Sequence, residues 1–379
     1  MQFLLNHIST IISTYSGAIP LPIFLKNYYK QYPKLGSRDR KALSEAVFIY
    51  YRYASFFAKD SDQIEIIARA ITNDVSAKNP FLHKLFSNIE VSDKGIDWPS
   101  ILREVLVPDV SEGLRKEEWL SSLLAQPRLF IRLRNNQERS LNLLRENNIE
   151  LRMPDGDDSN CVSLPNGTAV EKILDEEDYV VQDWASQRSV KLVLAHISAT
   201  ISTAWDVCSG AGGKSIFLKD ELKSLKLLST DIRKTILHNL AMRFNLYKLK
   251  KPEILVLDST NRRSMADQLQ QRKFDLIVCD VPCSGSGTWA RTPEQFHFFD
   301  ATQLNKFKEL QFPIAVNAQE YLNDNGLFAY ITCSVFKAEN EEVVAQLLTN
   351  TCLKLVEQRL IKGIEINADS MFCAIFKKR

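Results

Sequence analysis

The sequence predicts a doubly wound α/β fold over its C-terminal half, with a parallel sheet whose strand ends carry the chemistry. Three observations predict it. From residue 179 onward, short aliphatic and aromatic runs at 204–207, 226–230, 254–257, 274–278 and 327–331 alternate with helical periodicity, the pattern of a parallel sheet covered on both faces. A glycine-rich segment, Asp206-Val-Cys-Ser-Gly-Ala-Gly-Gly-Lys-Ser215, follows the first run and opens a helix. Two cysteine-bearing loops, Asp280-Val-Pro-Cys-Ser-Gly-Ser-Gly-Thr-Trp289 and Thr332-Cys-Ser334, follow the fourth and fifth runs. In an open α/β sheet, ligands bind outside the carboxyl ends of the strands. If the fourth and fifth strands are neighbours, Cys283 and Cys333 share one edge and face one crevice.

The totals restrict the class. A chain of 379 residues holds two or three domains, and 45% hydrophobic with 25% charged residues is ordinary for a soluble globular protein. With a net charge of +2, any basic surface has to be local. Seven cysteines show no paired CxxC or histidine cluster, which argues against zinc. Their odd number in a long α/β chain points to free thiols and a reducing compartment. No apolar run reaches the roughly eighteen residues of a membrane span. The first residues lack a basic n-region, and Asn6 and His7 interrupt their apolar stretch, which argues against a signal peptide. The expectation is a cytoplasmic protein with no metal and no membrane partner.

Residues 1 to about 120 read as helical. Leu43, Val47, Tyr50, Ala54 and Phe57 mark one helical face. Residues 62–71 and 80–89 predict two more helices, with turn signals at Asn73-Asp74 and Asn79-Pro80. This is a helical bundle with a structural or docking role. From about 121 to 178 the texture changes to a small α/β module. Leu129-Phe-Ile-Arg-Leu133 alternates as a strand does, and 139–147 reads as a helix. Residues 150–153 and 161–164 read as further strands around the turn-rich Pro154-Asp-Gly-Asp-Asp158. Between Arg128 and Glu146, five arginines (Arg128, Arg132, Arg134, Arg139 and Arg145) stand against two glutamates. They either track a phosphate backbone or form an ordinary solvated face.

Residues 179–379 hold the sheet. Helical faces at Leu237, Leu240, Ala241 and Phe244, and at Leu304, Phe307, Leu310, Ile314, Ala318 and Tyr321, separate its strands. Late runs at 353–356 and 371–376 bring the count to seven. In the glycine-rich segment, Gly210, Gly212 and Gly213 let the backbone approach a ligand where a side chain would clash, although a tight structural turn has the same requirement. Asp231 ends the next strand, placed for ribose hydroxyls, and Asp258 follows the third. The segment departs from the dinucleotide fingerprint, since Ser215 takes the third glycine position, and it is no P-loop. A ribose-binding acid without a pyrophosphate cradle suits a nucleoside sulfonium, S-adenosylmethionine.

DVCSGAGGKS, DVPCSGSGTWARTPE and ITCSVFKAENE, with VQDWASQ upstream, closely resemble the Sun/Fmu (RsmB-type) family of RNA cytosine-5 methyltransferases over roughly residues 125–379. The N-terminal third, with LGSRDRKALSEAVFIYYR, more loosely resembles the NusB-type domain of some members. The resemblance implies a Rossmann-like methyltransferase sheet of seven strands, the last antiparallel, preceded by a small α/β RNA-binding module and an all-α NusB-like domain. It implies a cofactor site with Cys208, Ser209, Gly210, Ala211, Gly212, Gly213 and Lys214 around the methionine part, Asp231 at the ribose and Asp258 near the adenine. Asp280 would lie where cofactor and target base meet. Ala211 stands where the family usually has proline.

Carbon 5 of cytosine is a poor nucleophile. A thiolate adding to carbon 6 pushes electron density onto it. A free cysteine is only a few per cent thiolate at neutral pH, so a cation such as Lys214 or the sulfonium has to favour that form. After methyl transfer the carbon-5 proton must leave before the thiol is eliminated, and a second group assists. Residue chemistry leaves the two cysteines unranked; the resemblance makes Cys333 the nucleophile and Cys283 the residue that helps release product. Asp280 is placed to hydrogen-bond the cytosine edge. Cys279, Cys352 and Cys373, inside apolar runs, read as buried small hydrophobes.

The target base has to leave its stack, so single-stranded or locally opened RNA is the expected partner. Trp289, Arg291 and Phe296 are candidates to stack on or clamp the nucleotide, or are simply core. Lys248, Lys250 and Lys251, near Arg243, form a candidate phosphate patch. Ribosomal RNA is the favoured substrate and tRNA the alternative, with the protein acting as a monomer. An amino-group or DNA methyltransferase fits less well, because Asp-Val-Pro-Cys stands where exocyclic nitrogen methylation uses Asn/Asp-Pro-Pro-Tyr. A catalytically silent RNA-binding scaffold needs neither thiol.

Overall fold

The structure is a computed structural model that describes residues 1–58, 61–73, 79–89, 91, 96–156, 160–197 and 201–378. Asp74 of the first turn signal, and Asp157 and Asp158 of the turn after Pro154, lie outside the described residues. The chain divides into two compact units. One comprises Met1–Val107, Arg115–Gln126 and Thr288–Ala301; the other comprises Pro108–Leu114, Pro127–Gly287 and Thr302–Arg379. No helix of the described residues is long and apolar enough to cross a membrane.

The first unit is built from the helices Gln2–Thr14, Leu21–Gln31, Ser37–Ala54, Gln63–Asn73, Pro80–Phe86, Trp98–Glu104, Lys116–Leu123 and Pro293–His297. The periodicity is realised: Leu43 and Val47 pack with Ile8, Ile11, Leu25, Ile67 and Leu82 in one core. Asn79 caps the helix that Pro80 opens, its side chain accepting from the Phe81 N–H at 3.1 Å, and proline is tolerated at the first helical position because that N–H has no partner anyway.

The segment Thr288–Ala301 belongs to this unit, and of the two readings of Trp289 and Phe296 the structure bears out core. The Trp289 ring is 1% exposed and lies 5.7 Å from Trp119, 5.5 Å from Phe296 and 4.8 Å from Phe299, centroid to centroid. Rings enclosed on all sides offer no face to a nucleotide. Arg291 is exposed on the same segment.

In the second unit, three antiparallel strands form a small sheet in the order β2-β1-β3: β1 Leu129–Leu133, β2 Cys161–Leu164 and β3 Tyr179–Val181. Residues 150–153 do not form a strand; a single bridge joins Arg152 to Ser163. The arginine bias is largely spent on the fold. Arg132 and Arg134 both bond Asp220, at 2.6 and 2.8 Å, Arg128 reaches Ser163 and Glu150, and Arg139 faces Asp175 at 3.4 Å.

The large sheet has seven strands: β4 Thr203–Asp206, β5 Lys226–Asp231, β6 Glu253–Val256, β7 Phe274–Asp280, β8 Leu322–Thr332, β9 Leu353–Ile361 and β10 Met371–Lys378. Their order is β6-β5-β4-β7-β8-β10-β9, with β4 to β8 mutually parallel and β10 antiparallel to both neighbours. Successive residues of a strand point to opposite faces, and both faces are apolar. Ala204, Leu276, Val278, Ala329 and Ile331 pack on one side, while Trp205, Ile277, Phe328, Tyr330 and Phe372 pack on the other. Continuous apolar runs are therefore the correct signature of these strands. Cys279 and Cys373 are buried within them, as expected. Cys352 is exposed instead, because it falls in the turn between the helix Glu341–Asn350 and β9.

Arg52 secures the helical unit. It is 5% exposed, and its Nη1 donates to the carbonyls of Leu123, Ala125 and Ala290 at 3.1, 2.8 and 2.8 Å. A buried charge survives only when hydrogen-bonded in this way. Arg52→Ala leaves these acceptors without that donor and is expected to lower unfolding free energy by about 2–4 kcal/mol, measured by urea denaturation.

Candidate active site

The strand order reverses between β4 and β7: β5 and β6 lie to one side, β7 and β8 to the other. In open α/β sheets ligands bind at such a switch point, outside the carboxyl ends of the strands. Four strands end there on polar residues. β4 ends on Asp206, β5 on Asp231, β7 on Asp280 and β8 on Thr332, with Cys333 next in the chain. The register pairs Asp280 with Ile331, which is why two loops fifty residues apart in sequence meet.

The glycine-rich loop lies over the ends of β4 and β5. Ser209 N–H donates to the Thr230 carbonyl at 2.8 Å. Gly212 has φ +80° and initiates the helix Gly213–Glu221; a Cβ there would come within 2.7 Å of Leu240, so only glycine fits. Gly210, at φ +52° and with open space around it, donates its N–H to Asp231 Oδ2 at 3.1 Å. The Ala211 carbonyl accepts from Arg243 Nη1 at 2.7 Å. Arg243, read from sequence beside a phosphate patch, is thus engaged in holding the loop at the residue where the family usually has proline.

Asp231 is nearly saturated. Its Oδ1 accepts from Arg233 N–H at 2.9 Å and Nε at 3.0 Å, and its Oδ2 from Gly210 and from Arg233 Nη2 at 3.1 Å. Burial works to raise its pKa, yet the Arg233 bonds and charge hold it below the usual carboxylate range. Asp258 accepts from Thr260 N–H at 2.9 Å and Thr260 Oγ1 at 2.6 Å, a local turn that presents it beyond β6. Burial keeps the Cys208 thiol protonated, well above its ordinary range. Lys214, 8% exposed, donates to Asp280 Oδ2 at 2.6 Å. Burial works to lower its pKa, but the Asp280 charge and hydrogen bond prevail and raise it.

Cys283 Sγ and Cys333 Sγ lie 3.1 Å apart, both partly exposed and both free thiols. Beneath them is Glu339, with no exposed surface. Its Oε2 accepts from Ser284 Oγ and Ser334 Oγ, both at 2.5 Å. Its Oε1 accepts from Ser284 N–H at 2.8 Å and Gln311 Nε2 at 3.0 Å. Ser284 follows Cys283 and Ser334 follows Cys333, so one carboxylate fixes both thiol loops. The hydrogen bond to Cys333, then burial, then the charges of Cys333 and Glu339, push the Cys283 thiol far up. The two sulfurs are within hydrogen-bonding distance, and Cys283 is strongly disfavoured as a thiolate.

The structure thus brings together Cys283, Cys333, Asp280 and Lys214, with the glycine loop and Asp231 along the same strand ends. Sequence reading missed three residues. Glu339 lies inside the ITCSVFKAENE motif but its burial was not legible. Gln311 had a signal, because it interrupts the apolar spacing Leu304, Phe307, Ile314, Ala318 on the buried side of its helix. Asp206 is 1% exposed; its Oδ2 accepts from Ser215 Oγ at 2.6 Å, whereas its Oδ1 is buried with no hydrogen-bond partner. Burial pushes its pKa up to about 7.

Residues 198–375 match the family model described as 16S rRNA methyltransferase RsmB/F. The match covers just under half of the chain. Among its relatives is the ribosomal RNA small subunit methyltransferase B of Shewanella oneidensis, 29% identical over 195 residues, 52% of this chain and 44% of that protein. A tRNA (cytosine(34)-C(5))-methyltransferase of Drosophila melanogaster is 34% identical over 96 residues, 24% of this chain and 13% of that protein. The chain spans about half the length of the bacterial RsmB/F relatives it matches. The fold extends further than the family match: the crystal structure of PH0851 superposes with a TM-score of 0.72 at 16% identity, covering 95% of both chains.

Two outcomes are expected from the buried acids. Glu339→Gln removes a charge that raises the Cys283 thiol, so the pH at which iodoacetamide alkylates Cys283 shifts downward, read by mass spectrometry. The loss of acceptors should cost about 2–4 kcal/mol of stability. Asp206 binds its proton more tightly folded, about 7, than at the usual 3.8. Its contribution to stability is complete below the lower value and is lost as pH rises through the upper one. The wild-type stability, measured relative to Asp206→Asn, should therefore fall between those two pH values.

Proposed function

We propose that this protein transfers a methyl group from S-adenosylmethionine to carbon 5 of a cytosine in RNA, through a covalent adduct of Cys333 with carbon 6 of the base. The observation that carries this reading is the thiol pair at 3.1 Å above the buried Glu339 carboxylate. A structural cysteine needs no second sulfur and no buried carboxylate beneath the pair. The acids Asp206, Asp231 and Asp280 suit a ligand that carries a cationic sulfur and an ammonium group. Ribose hydroxyls would replace the exposed Arg233 side chain on Asp231, while the Gly210 N–H stays in place. Cys208 to Lys214 would border the methionine part, and Asp258 the adenine.

When bound, S-adenosylmethionine supplies an electrophilic methyl group. The Cys333 thiolate adds to carbon 6, and the π electrons of the 5,6 double bond move onto carbon 5, which takes the methyl group. Asp280, oriented by Lys214, hydrogen-bonds the cytosine edge. The carbon-5 proton then passes to water, its C–H electron pair re-forms the 5,6 double bond, and Cys333 departs with the electron pair of its carbon–sulfur bond. Cys283, beside Cys333, assists that release.

Ribosomal RNA is the favoured substrate, by likeness to relatives named for the small ribosomal subunit. A tRNA substrate is the second reading, favoured by the Drosophila relative. The base would be presented from single-stranded or opened RNA, with residues 121–178 and the helical N-terminal region contributing to binding in a cytoplasmic monomer.

Incubation with labelled S-adenosylmethionine and cellular RNA should yield 5-methylcytosine on digestion. Cys333→Ala should abolish transfer. Cys283→Ala should accumulate a protein–RNA adduct that survives denaturing electrophoresis. Full turnover by Cys333→Ala would remove that residue from the nucleophile's role.

A further inference from the structure

The opposite edge of the seven-stranded sheet carries a second concave surface, of about 550 Å³, set around the first residues of four strands: Thr203, Lys226, Glu253 and Phe274. Six lysines and Arg272 line it against a single acid, Glu253. Arg272 pairs with Glu253 at 2.8 Å, so the lysine charges stand uncompensated on a chain whose net charge is only +2. Lys223, Lys226, Lys250 and Lys251 are exposed, and their ammonium groups have no carboxylate partner among the described residues.

The patch is built, not scattered. Lys219 is buried, and its Nζ donates to the carbonyls of Lys223 and Leu225 at 2.8 and 2.7 Å. That fixes the turn which presents Lys223 and Lys226. Burial and the charge of Lys250 together lower the Lys219 pKa, so the lysines already feel one another's field. The sequence patch is redistributed in the process. Lys248 pairs with Glu177 at 2.5 Å and Arg243 holds the glycine loop, whereas Lys250 and Lys251 join lysines from the neighbouring β-connection. Like charges gathered without acids oppose folding by mutual repulsion, which a bound polyanion relieves. Separate flexible ammonium groups suit successive phosphates as point charges, unlike the planar fork of arginine. From β6 to β7 the row crosses three inter-strand spacings of about 4.8 Å, long enough for several phosphates of one strand.

We propose that this face is a second RNA-binding surface, which takes the phosphodiester backbone at the edge of the sheet remote from the thiol crevice. It rests on RNA being the substrate class and adds a place where RNA outside the target nucleotide is held. The test uses the full chain and its quadruple variant Lys223→Ala, Lys226→Ala, Lys250→Ala, Lys251→Ala. A fluorescein-labelled single-stranded RNA of about 40 nucleotides is titrated by anisotropy between about 50 and 200 mM KCl. The variant should bind at least about tenfold more weakly at the lower salt, with a log–log salt slope shallower by about 2–3 units, near 0.7 for each phosphate no longer neutralised. The matching Lys→Arg quadruple should retain the wild-type slope, which separates lost charge from lost folding. Calorimetric S-adenosylmethionine binding and alkylation of Cys283 should be unchanged in both. Equal RNA affinity and slope in wild type and Ala variant overturn the proposal, as does loss of binding to phosphatidylserine vesicles with RNA binding intact. Failure of wild-type methyl transfer with the slope change present would remove the catalytic reading and leave this surface standing.

Discussion

The carboxylate of Glu339 is the interaction on which the active-site geometry depends. A fully buried acid is tolerated only when its oxygens are well supplied with donors. Here the donors come from two loops and one helix: Ser284, Ser334 and Gln311. All can reach it only when β7 and β8 are adjacent and in the observed register. The Tyr330 hydroxyl adds to this, donating to the Glu339 backbone carbonyl at 2.7 Å and lying 3.2 Å from Gln311 Oε1. The acid therefore couples the sheet core to the spacing of two sulfurs, and it makes those sulfurs unequal by placing its charge where it bears on Cys283.

The parallel sheet supplies the second constraint. Because β4 to β8 run the same way, every strand start lies at one edge and every strand end at the other. Acids collect at the ends, in Asp206, Asp231 and Asp280, and lysines collect near the starts. A net charge of +2 conceals this separation. The acidic edge suits a cationic cofactor, and the basic edge suits a polyanion. The two are held apart by roughly the length of a strand, about 20 Å for six residues.

Much of the fold was legible because its signals are local. The apolar runs of β4, β5, β7, β8 and β10 mark residues buried on both faces, and the periodicity at Leu43 and Val47 marks a helix packed on one side. The exceptions have physical causes. Trp289 and Phe296 follow a catalytic-type motif, yet their chain segment packs with helices far away in sequence. Arg132 and Arg134 form a charge run, yet Asp220, eighty-odd residues on, neutralises them. Cys352 borders an apolar run but falls in a turn.

By itself the sequence determined the alternation of strand and helix, the glycine loop and the residue types at each strand end, since these depend on neighbours within a few positions. It also carried the motifs by which residues 198–375 match the RsmB/F methyltransferase model. Only the tertiary structure decided that Glu339 lies beneath both thiol loops, that Arg243 braces Ala211, and that lysines from two connections form one surface. Each of those depends on strand order and register, which bring together groups that no local pattern relates.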